Sequence, residues 1–231
     1  MGNIYTDGEY MDQNPSWHEE DAPWKAAQIR LMLQRQPIKF KSVAEIGCGV
    51  GAILADLSNT LQGDLQFSGY DIAGPAIDRA RQKESGRLHF HNEDLLQKNE
   101  FFDLLLIMDV IEHVPDYLGF LKGCKTKAKY KIYHIPLDIH ASSVIRGSVI
   151  SARESVGHIQ YFTAESALAS LSGTGHKIID SFLTDGGLAL TSLHPSLKRS
   201  IANVPRRIIS AFSKKWAARL MGGYSLLVLT E

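Results

Sequence analysis

The sequence predicts an α/β fold, with a seven-stranded, mostly parallel sheet, helices on both faces, an antiparallel last strand and a helical insertion before that strand. Three observations predict it. Between residues 43 and 135, short apolar runs alternate five times with amphipathic stretches, the order that parallel strands joined by crossover helices require. One run, 101–108, is apolar almost throughout, as a strand buried on both faces must be. A 40-residue stretch, 184–223, precedes the last apolar run and carries apolar residues at intervals of three or four.

The elements follow in order. Residues 1–22 are polar and acidic and end in Ser16-Trp17-His18-Glu19, a capping-box pattern, and Pro23 suits a first helical turn. A helix is predicted over 23–35. Strands are predicted over 43–46, 65–70, 87–91, 101–108 and 130–135, with helices over 52–60, 75–84 and 116–123 between them. Thr163-Ala164-Glu165-Ser166 opens a further helix to about residue 171, and strands over 176–183 and 224–230 complete the sheet. In the insertion, Leu197, Ile201, Val204, Ile208, Phe212, Trp216 and Leu220 form a helical stripe, with Pro205 placed to kink or split it. The chain reads as a single domain, 1–231: an N-terminal helical lid over 1–39 with aromatics at Tyr10, Trp17, His18 and Trp24, a core over 40–184, a basic helical insertion over 185–223, and the last strand over 224–231.

Composition narrows the class. Lys plus Arg and Asp plus Glu each number 25, so no overall field points to nucleic acid, and no nucleic-acid partner is expected. The charge is nevertheless segregated: 186–230 holds seven basic residues and no acidic one, and the remainder holds 18 basic and 25 acidic. Cys48 and Cys124 lie far apart without metal-ligand spacing, so neither a disulfide framework nor a metal site is expected, and a reducing, cytoplasmic location fits. Met1-Gly2-Asn3-Ile4-Tyr5-Thr6 matches an N-terminal lipidation pattern too short to weigh. No apolar run approaches the ~20 residues of a spanning helix.

A glycine-rich loop, Glu45-Ile46-Gly47-Cys48-Gly49-Val50-Gly51, follows the first strand and precedes a helix, where backbone can approach a ligand closely. By itself it also satisfies the loose dinucleotide pattern Gly47-x-Gly49-x-x-Ala52, or serves as a plain strand-to-helix turn. The positions downstream add to it. The second strand ends at Tyr70-Asp71, where a carboxylate can accept from two ribose hydroxyls, and His91-Asn92-Glu93-Asp94-Leu95 follows the third. Asp94 there can accept from an adenine amino group, although Asp in such loops more often caps a helix.

With Phe102-Asp103-Leu104-Leu105-Leu106-Ile107-Met108-Asp109-Val110-Ile111-Glu112-His113-Val114-Pro115-Asp116 and Gly157-His158-Ile159-Gln160-Tyr161-Phe162-Thr163, this series resembles class I S-adenosylmethionine-dependent methyltransferases. Within that class it is most similar to small-molecule enzymes such as the ubiquinone-biosynthesis methyltransferases. The resemblance implies a Rossmann-like sheet and S-adenosylmethionine as cofactor. It places Gly47 and Gly49 against the methionine part, with Glu45 ordering the loop, Asp71 on the ribose, Asp94 and Leu95 on the adenine, and the Met108 carbonyl on the methionine part. Cys48, Gly51, Ile72, Asp109 and His113 fall in the same stretches.

Methyl transfer from a sulfonium needs chiefly orientation and exclusion of water, but an oxygen acceptor of low acidity also needs a base. His113, His140 and His158 are the candidate bases, each following a strand on the side where ligands bind in open α/β sheets; a loop histidine is more often structural. The Asn/Asp-Pro-Pro-aromatic loop that resembles base-amine methylation is absent, since Met108-Asp109-Val110-Ile111 stands in its place, so a small-molecule or carrier- or lipid-linked acceptor, methylated at oxygen, is expected. Two other readings are a cofactor-binding relative without catalysis and a nicotinamide-dependent oxidoreductase. For the basic insertion, 194–221, the alternatives are a helical cap on the sheet and contact with an anionic surface.

Overall fold

The computed structural model describes Trp17, residues 19–190 and residues 203–231. Ser16, Tyr10 and His18 of the expected lid and Leu197 and Ile201 of the expected stripe, with Lys198 and Arg199, lie outside the described residues. Seven strands form one sheet: β1 (Ser42–Ile46), β2 (Gln66–Tyr70), β3 (Leu88–His91), β4 (Phe102–Met108), β5 (Ala128–Pro136), β6 (Ile178–Thr184) and β7 (Ser225–Thr230), in the order β3-β2-β1-β4-β5-β7-β6. β1 pairs in parallel with β2 and β4, and β2 with β3, whereas β6 and β7 run antiparallel. The mostly parallel sheet with antiparallel C-terminal strands is the one the alternation predicts.

The chain divides into two compact units. The first comprises Met1–Met108, Gly123–Ile132 and Glu231. Its helices are α1 (Ala22–Arg35), α2 (Ala52–Thr60) and α3 (Gly74–Ala80). α3 is shorter than the 75–84 expected, because a 3₁₀ turn over Arg81–Lys83 takes its last residues. β4 is buried at every position but Asp103, in agreement with its unbroken apolar run. Phe90 locks the interior of this unit. A Cβ built on Gly51 would lie 2.4 Å from its ring, and one on Gly69 2.5 Å, so both glycines are spaces that the Phe90 ring fills.

The second unit comprises Asp109–Lys122 and Tyr133–Thr230. α4 (Tyr117–Lys125) runs out of it, and α5 (Ala141–Ile145), α6 (Ser151–Val156), α7 (Ala164–Gly173), α8 (Gly186–Ala189), α9 (Val204–Phe212) and α10 (Lys214–Met221) belong to it. Thr163 caps α7 through the reciprocal bonds with Ser166 that its sequence suggests. Pro205 neither kinks nor splits a long helix. It sits in the first turn of α9, where its missing N–H costs nothing, and the break falls at Ser213, whose hydroxyl accepts from the Trp216 N–H to start α10. α5 and α6 are two short helices that the expected elements did not include.

Gly51→Ala is expected to cost on the order of 3 kcal/mol in urea unfolding, because its φ of 73° disfavours a side chain and the added methyl has no room beside Phe90. Phe90→Leu in that background should recover part of the loss; a fully stable Gly51→Ala protein would refute the packing account.

Candidate functional site

The first unit carries the glycine loop. Gly47 and Cys48 donate their N–H groups to the Tyr70 carbonyl, at 2.8 and 3.2 Å, so the loop is hung from the end of β2. Asp71, next along, accepts from the Gly49 N–H with Oδ2 and from the Ala73 N–H with Oδ1, both at 2.8 Å. Burial pushes the Asp71 carboxyl up, and these N–H donors oppose that shift. A carboxylate offers about four lone-pair sites, so Asp71 keeps capacity for a hydroxyl beside its backbone donors. Lys83 holds the loop from the other side, donating to the Val50 carbonyl at 3.1 Å and pairing with Glu19 at 2.9 Å.

The loop residues divide by role. Gly47 and Gly49 take left-handed φ values of 70° and 52°, which favour glycine. Among the described residues a side chain at Gly49 would meet the Trp17 ring, at 3.5 Å, and Trp17 also packs on Val50, Ala73 and Ala76, so one of the expected lid aromatics lies over the loop. Gly51 opens space for Phe90 rather than outward. Glu45 is buried, and with Asp71 it adds to the burial that pushes the Cys48 thiol well up, so Cys48 is an inert neutral thiol. Ile72, beside Asp71, leaves 49% of its surface exposed, a large apolar group facing outward at a strand end. Asp94 caps the 3₁₀ turn over Leu95–Gln97 by accepting from the Leu96 N–H with one oxygen, and Leu95 is wholly enclosed. Met108 closes β4, in a strand order that reverses between β1 and β4, the switch point at which open α/β sheets bind ligands.

The second unit carries the histidines. Ile159 and Gln160 both donate their N–H groups to the Glu112 carbonyl, at 2.8 and 2.9 Å, and this pair of backbone hydrogen bonds joins residues 47 and 48 apart in sequence. The rings of His113 and His158 meet edge to face, 4.9 Å between centroids. His113 donates Nδ1–H to the Gly157 carbonyl at 3.2 Å, which leaves its Nε2 as the acceptor. Burial, with His158 beside it, pushes its pKa down to about 4, so His113 is neutral at physiological pH. His158 donates Nδ1–H to Asp138 Oδ2 at 2.7 Å, and its Nε2 stands 3.9 Å from Glu112 Oε1. Glu112, His113 and His158 present donor atoms within 4.8 Å of one another, a spacing that can pass a proton or hold a cation.

His140 is used differently. Its Nδ1 accepts from the Ser143 N–H and the Ser142 hydroxyl to cap α5, so that lone pair is consumed. Burial, then Arg146, pushes its pKa down. Asp109 is one of two non-glycine residues among those described with positive φ, 55°. Residue 134 holds it twice: the Asp109 N–H donates to the His134 carbonyl at 3.0 Å, and Oδ1 accepts from the His134 ring at 2.6 Å, while the other ring nitrogen meets Thr184 at 2.9 Å. Glu112, His134 and Asp138 were not singled out from sequence. The signal for Asp138 was its place just past the fifth strand, the position that drew attention to Asp71 after the second.

Comparison with known proteins points to a methyltransferase domain. Residues 44–129 match a family described as methyltransferase domain. The ubiquinone biosynthesis O-methyltransferase of Cereibacter sphaeroides is 36% identical over 99 residues, 40% of this chain and 40% of the relative; that of Actinobacillus pleuropneumoniae is 32% identical over 100 residues, 38% and 42%. The chain thus spans well under half the length of these curated relatives. In fold it is similar to a chain of the Haloferax volcanii complex between the Trm112 methyltransferase activator and a methyltransferase (TM-score 0.65, 15% identity, 97% of this chain and 94% of that one). It is also similar to magnesium protoporphyrin IX methyltransferase of Synechocystis with bound S-adenosylhomocysteine (TM-score 0.58, 16% identity, 93% and 83%).

The depressed His113 pKa ties stability to pH. The unfolded chain takes up a proton near pH 6.5, whereas the folded chain resists it down to about 4, so stability falls as pH falls through that window. Urea unfolding should show a loss of about 2 kcal/mol between pH 7 and 5, and His113→Asn, which keeps a donor for Gly157, should flatten the slope. An unchanged slope in the variant would assign the titration to another group.

Proposed function

Because residues 44–129 form a class I, S-adenosylmethionine-dependent methyltransferase domain, we propose that the chain transfers a methyl group to an oxygen of a small-molecule acceptor, with His158 as general base. The observation that carries the proposal is the Asp138–His158 pair. A histidine whose Nδ1–H is bonded to a carboxylate presents Nε2 as the proton acceptor, and the carboxylate stabilises the imidazolium that results.

S-adenosylmethionine supplies the methyl on a sulfonium, already activated for in-line displacement. The first unit provides what such a cofactor needs. Gly47 and Gly49, both at left-handed φ, suit a backbone cradle for it, and the remaining lone pairs of Asp71 suit the ribose hydroxyls. Exposed Ile72 suits one face of the adenine, and the free oxygen of Asp94 its amino group; Leu95, enclosed as it is, offers backbone only. Glu45 and Cys48 are buried within the loop, and Met108 ends β4, the strand that pairs with β1, with Asp109 next in sequence. The twofold grip of residue 134 on Asp109 offsets the roughly 1 kcal/mol or more of its left-handed backbone.

The second unit provides the proton chemistry. His158 Nε2 takes the hydroxyl proton of the acceptor as the oxygen attacks, and Asp138 holds the ring's tautomer. Neutral His113, unable to compete for that proton at physiological pH, accepts a hydrogen bond through Nε2 and orients the acceptor. His140, its lone pair spent on the cap, takes no part. The ubiquinone biosynthesis O-methyltransferases among the relatives support oxygen as the acceptor atom.

Asp71→Ala should weaken S-adenosylhomocysteine binding at least about tenfold in calorimetric titration, since it removes both the ribose acceptor and the tether on Gly49; Gly49→Val should abolish binding. Normal affinity in both would place the cofactor elsewhere. His158→Ala should lower kcat on an identified acceptor by roughly 10²–10⁴-fold at unchanged S-adenosylhomocysteine affinity, and Asp138→Asn should lower it less while shifting the acid limb of the pH profile. Full turnover by His158→Ala would remove it as base, and cofactor binding without turnover on any acceptor would favour a non-catalytic relative.

A further inference from the structure

α9 and α10 are packed inside out. A helix on a soluble protein turns its large apolar residues inward, yet α10 buries Ala217 and Ala218 and leaves Trp216 56% exposed, and α9 leaves Ile208 57% and Phe212 87% exposed. Beside the partly buried Ile209, the inward positions of α9 are polar: Arg206 donates to Asn203 Oδ1 at 3.0 Å and to the Met221 carbonyl, and Ser210 accepts from the Tyr224 hydroxyl at 3.0 Å. The outward apolar side is therefore not a misread of the core; the helices are held down by other residues. α10 also packs on α5, where Ile145 is 84% exposed.

The charges carried by these two helices have one sign. Arg207, Lys214 and Lys215 are exposed on the same two helices, and the sequence from 186 to 230 contains no acidic residue. Arg219 lies over the Trp216 ring at 5.7 Å and pairs with Glu165 of α7. A second copy of the chain laid on this surface by twofold symmetry would set basic residues against basic residues. An anionic bilayer matches both features, with large apolar side chains entering the acyl boundary and lysine and arginine at the headgroups. Among the described residues no helix is long and apolar enough to cross a membrane, so the contact is peripheral.

We propose that α9 and α10 form a peripheral docking surface for an anionic lipid bilayer, with Ile208, Phe212 and Trp216 inserting and Arg207, Lys214 and Lys215 pairing with headgroups. The inference goes beyond methyl transfer and does not depend on it. The test is sedimentation of the full chain with vesicles of phosphatidylcholine alone or mixed with phosphatidylglycerol, at low and high salt. Binding to the anionic vesicles at low salt should exceed binding to the neutral ones by roughly a hundredfold and fall steeply with salt. Lys214→Glu with Lys215→Glu should abolish that preference, and Phe212→Ser with Trp216→Ser should weaken binding at least about tenfold, with melting temperature and S-adenosylhomocysteine affinity unchanged. Absence of binding at low salt, equal binding to both vesicles, or wild-type binding by the Phe212→Ser, Trp216→Ser protein would overturn the proposal. So would a stable dimer that this variant dissociates, which would make the occupant a second copy.

Discussion

The Asp71 carboxylate governs the geometry of the first unit. With two oxygens it draws the Gly49 N–H and the Ala73 N–H to one point, while the Tyr70 carbonyl just before it accepts from Gly47 and Cys48. The end of β2 therefore acts as the template on which the loop after β1 is laid. A loop with three glycines loses much conformational freedom on ordering. Charge-assisted bonds to a half-buried carboxylate offset that loss more effectively than neutral ones would. The carboxyl itself is penalised by burial, and its N–H donors counter the penalty.

The second unit solves a similar problem with backbone alone. The Glu112 carbonyl accepts from two successive N–H groups, at Ile159 and Gln160, and so fixes where His158 stands relative to His113. The partners then separate the two rings chemically. A backbone carbonyl, which carries no full charge, does little to offset the burial of His113, whereas His158 has the Asp138 carboxylate. Two histidines whose ring centroids stand 4.9 Å apart are thus each oriented by a different kind of acceptor.

Strain and inversion mark the remaining departures from ordinary packing. Asp109 stands at positive φ under two bonds from residue 134, and α9 and α10 turn their large apolar side chains outward. Neither is explained by stability of the fold alone, since an Asn or Gly would suit the first and an inward Trp or Phe the second. Departures of this kind concentrate where a protein meets something else.

The order of strands and helices was legible in the sequence because periodicity is local: a buried parallel strand must be apolar throughout, as β4 is, and a helix must show its cap, as Thr163 does. The loop at Gly47 to Gly51 and the strand-end position of Asp71 were legible for the same reason, since both are set by neighbours in the chain. What the sequence could not distinguish was the use of chemically equivalent residues. Gly49 faces the Trp17 ring and Gly51 the Phe90 ring; His140 caps a helix while His158 meets a carboxylate; Asp138 completes that pair from 20 residues away. Pro205 looked like a kink and proved to be a first-turn residue, because the break was supplied eight positions later by the Ser213 cap. Each of these outcomes depends on which side chain arrives from another element to fill a space or accept a hydrogen bond. That choice is made by three-dimensional packing, and residue spacing along the chain carries no record of it.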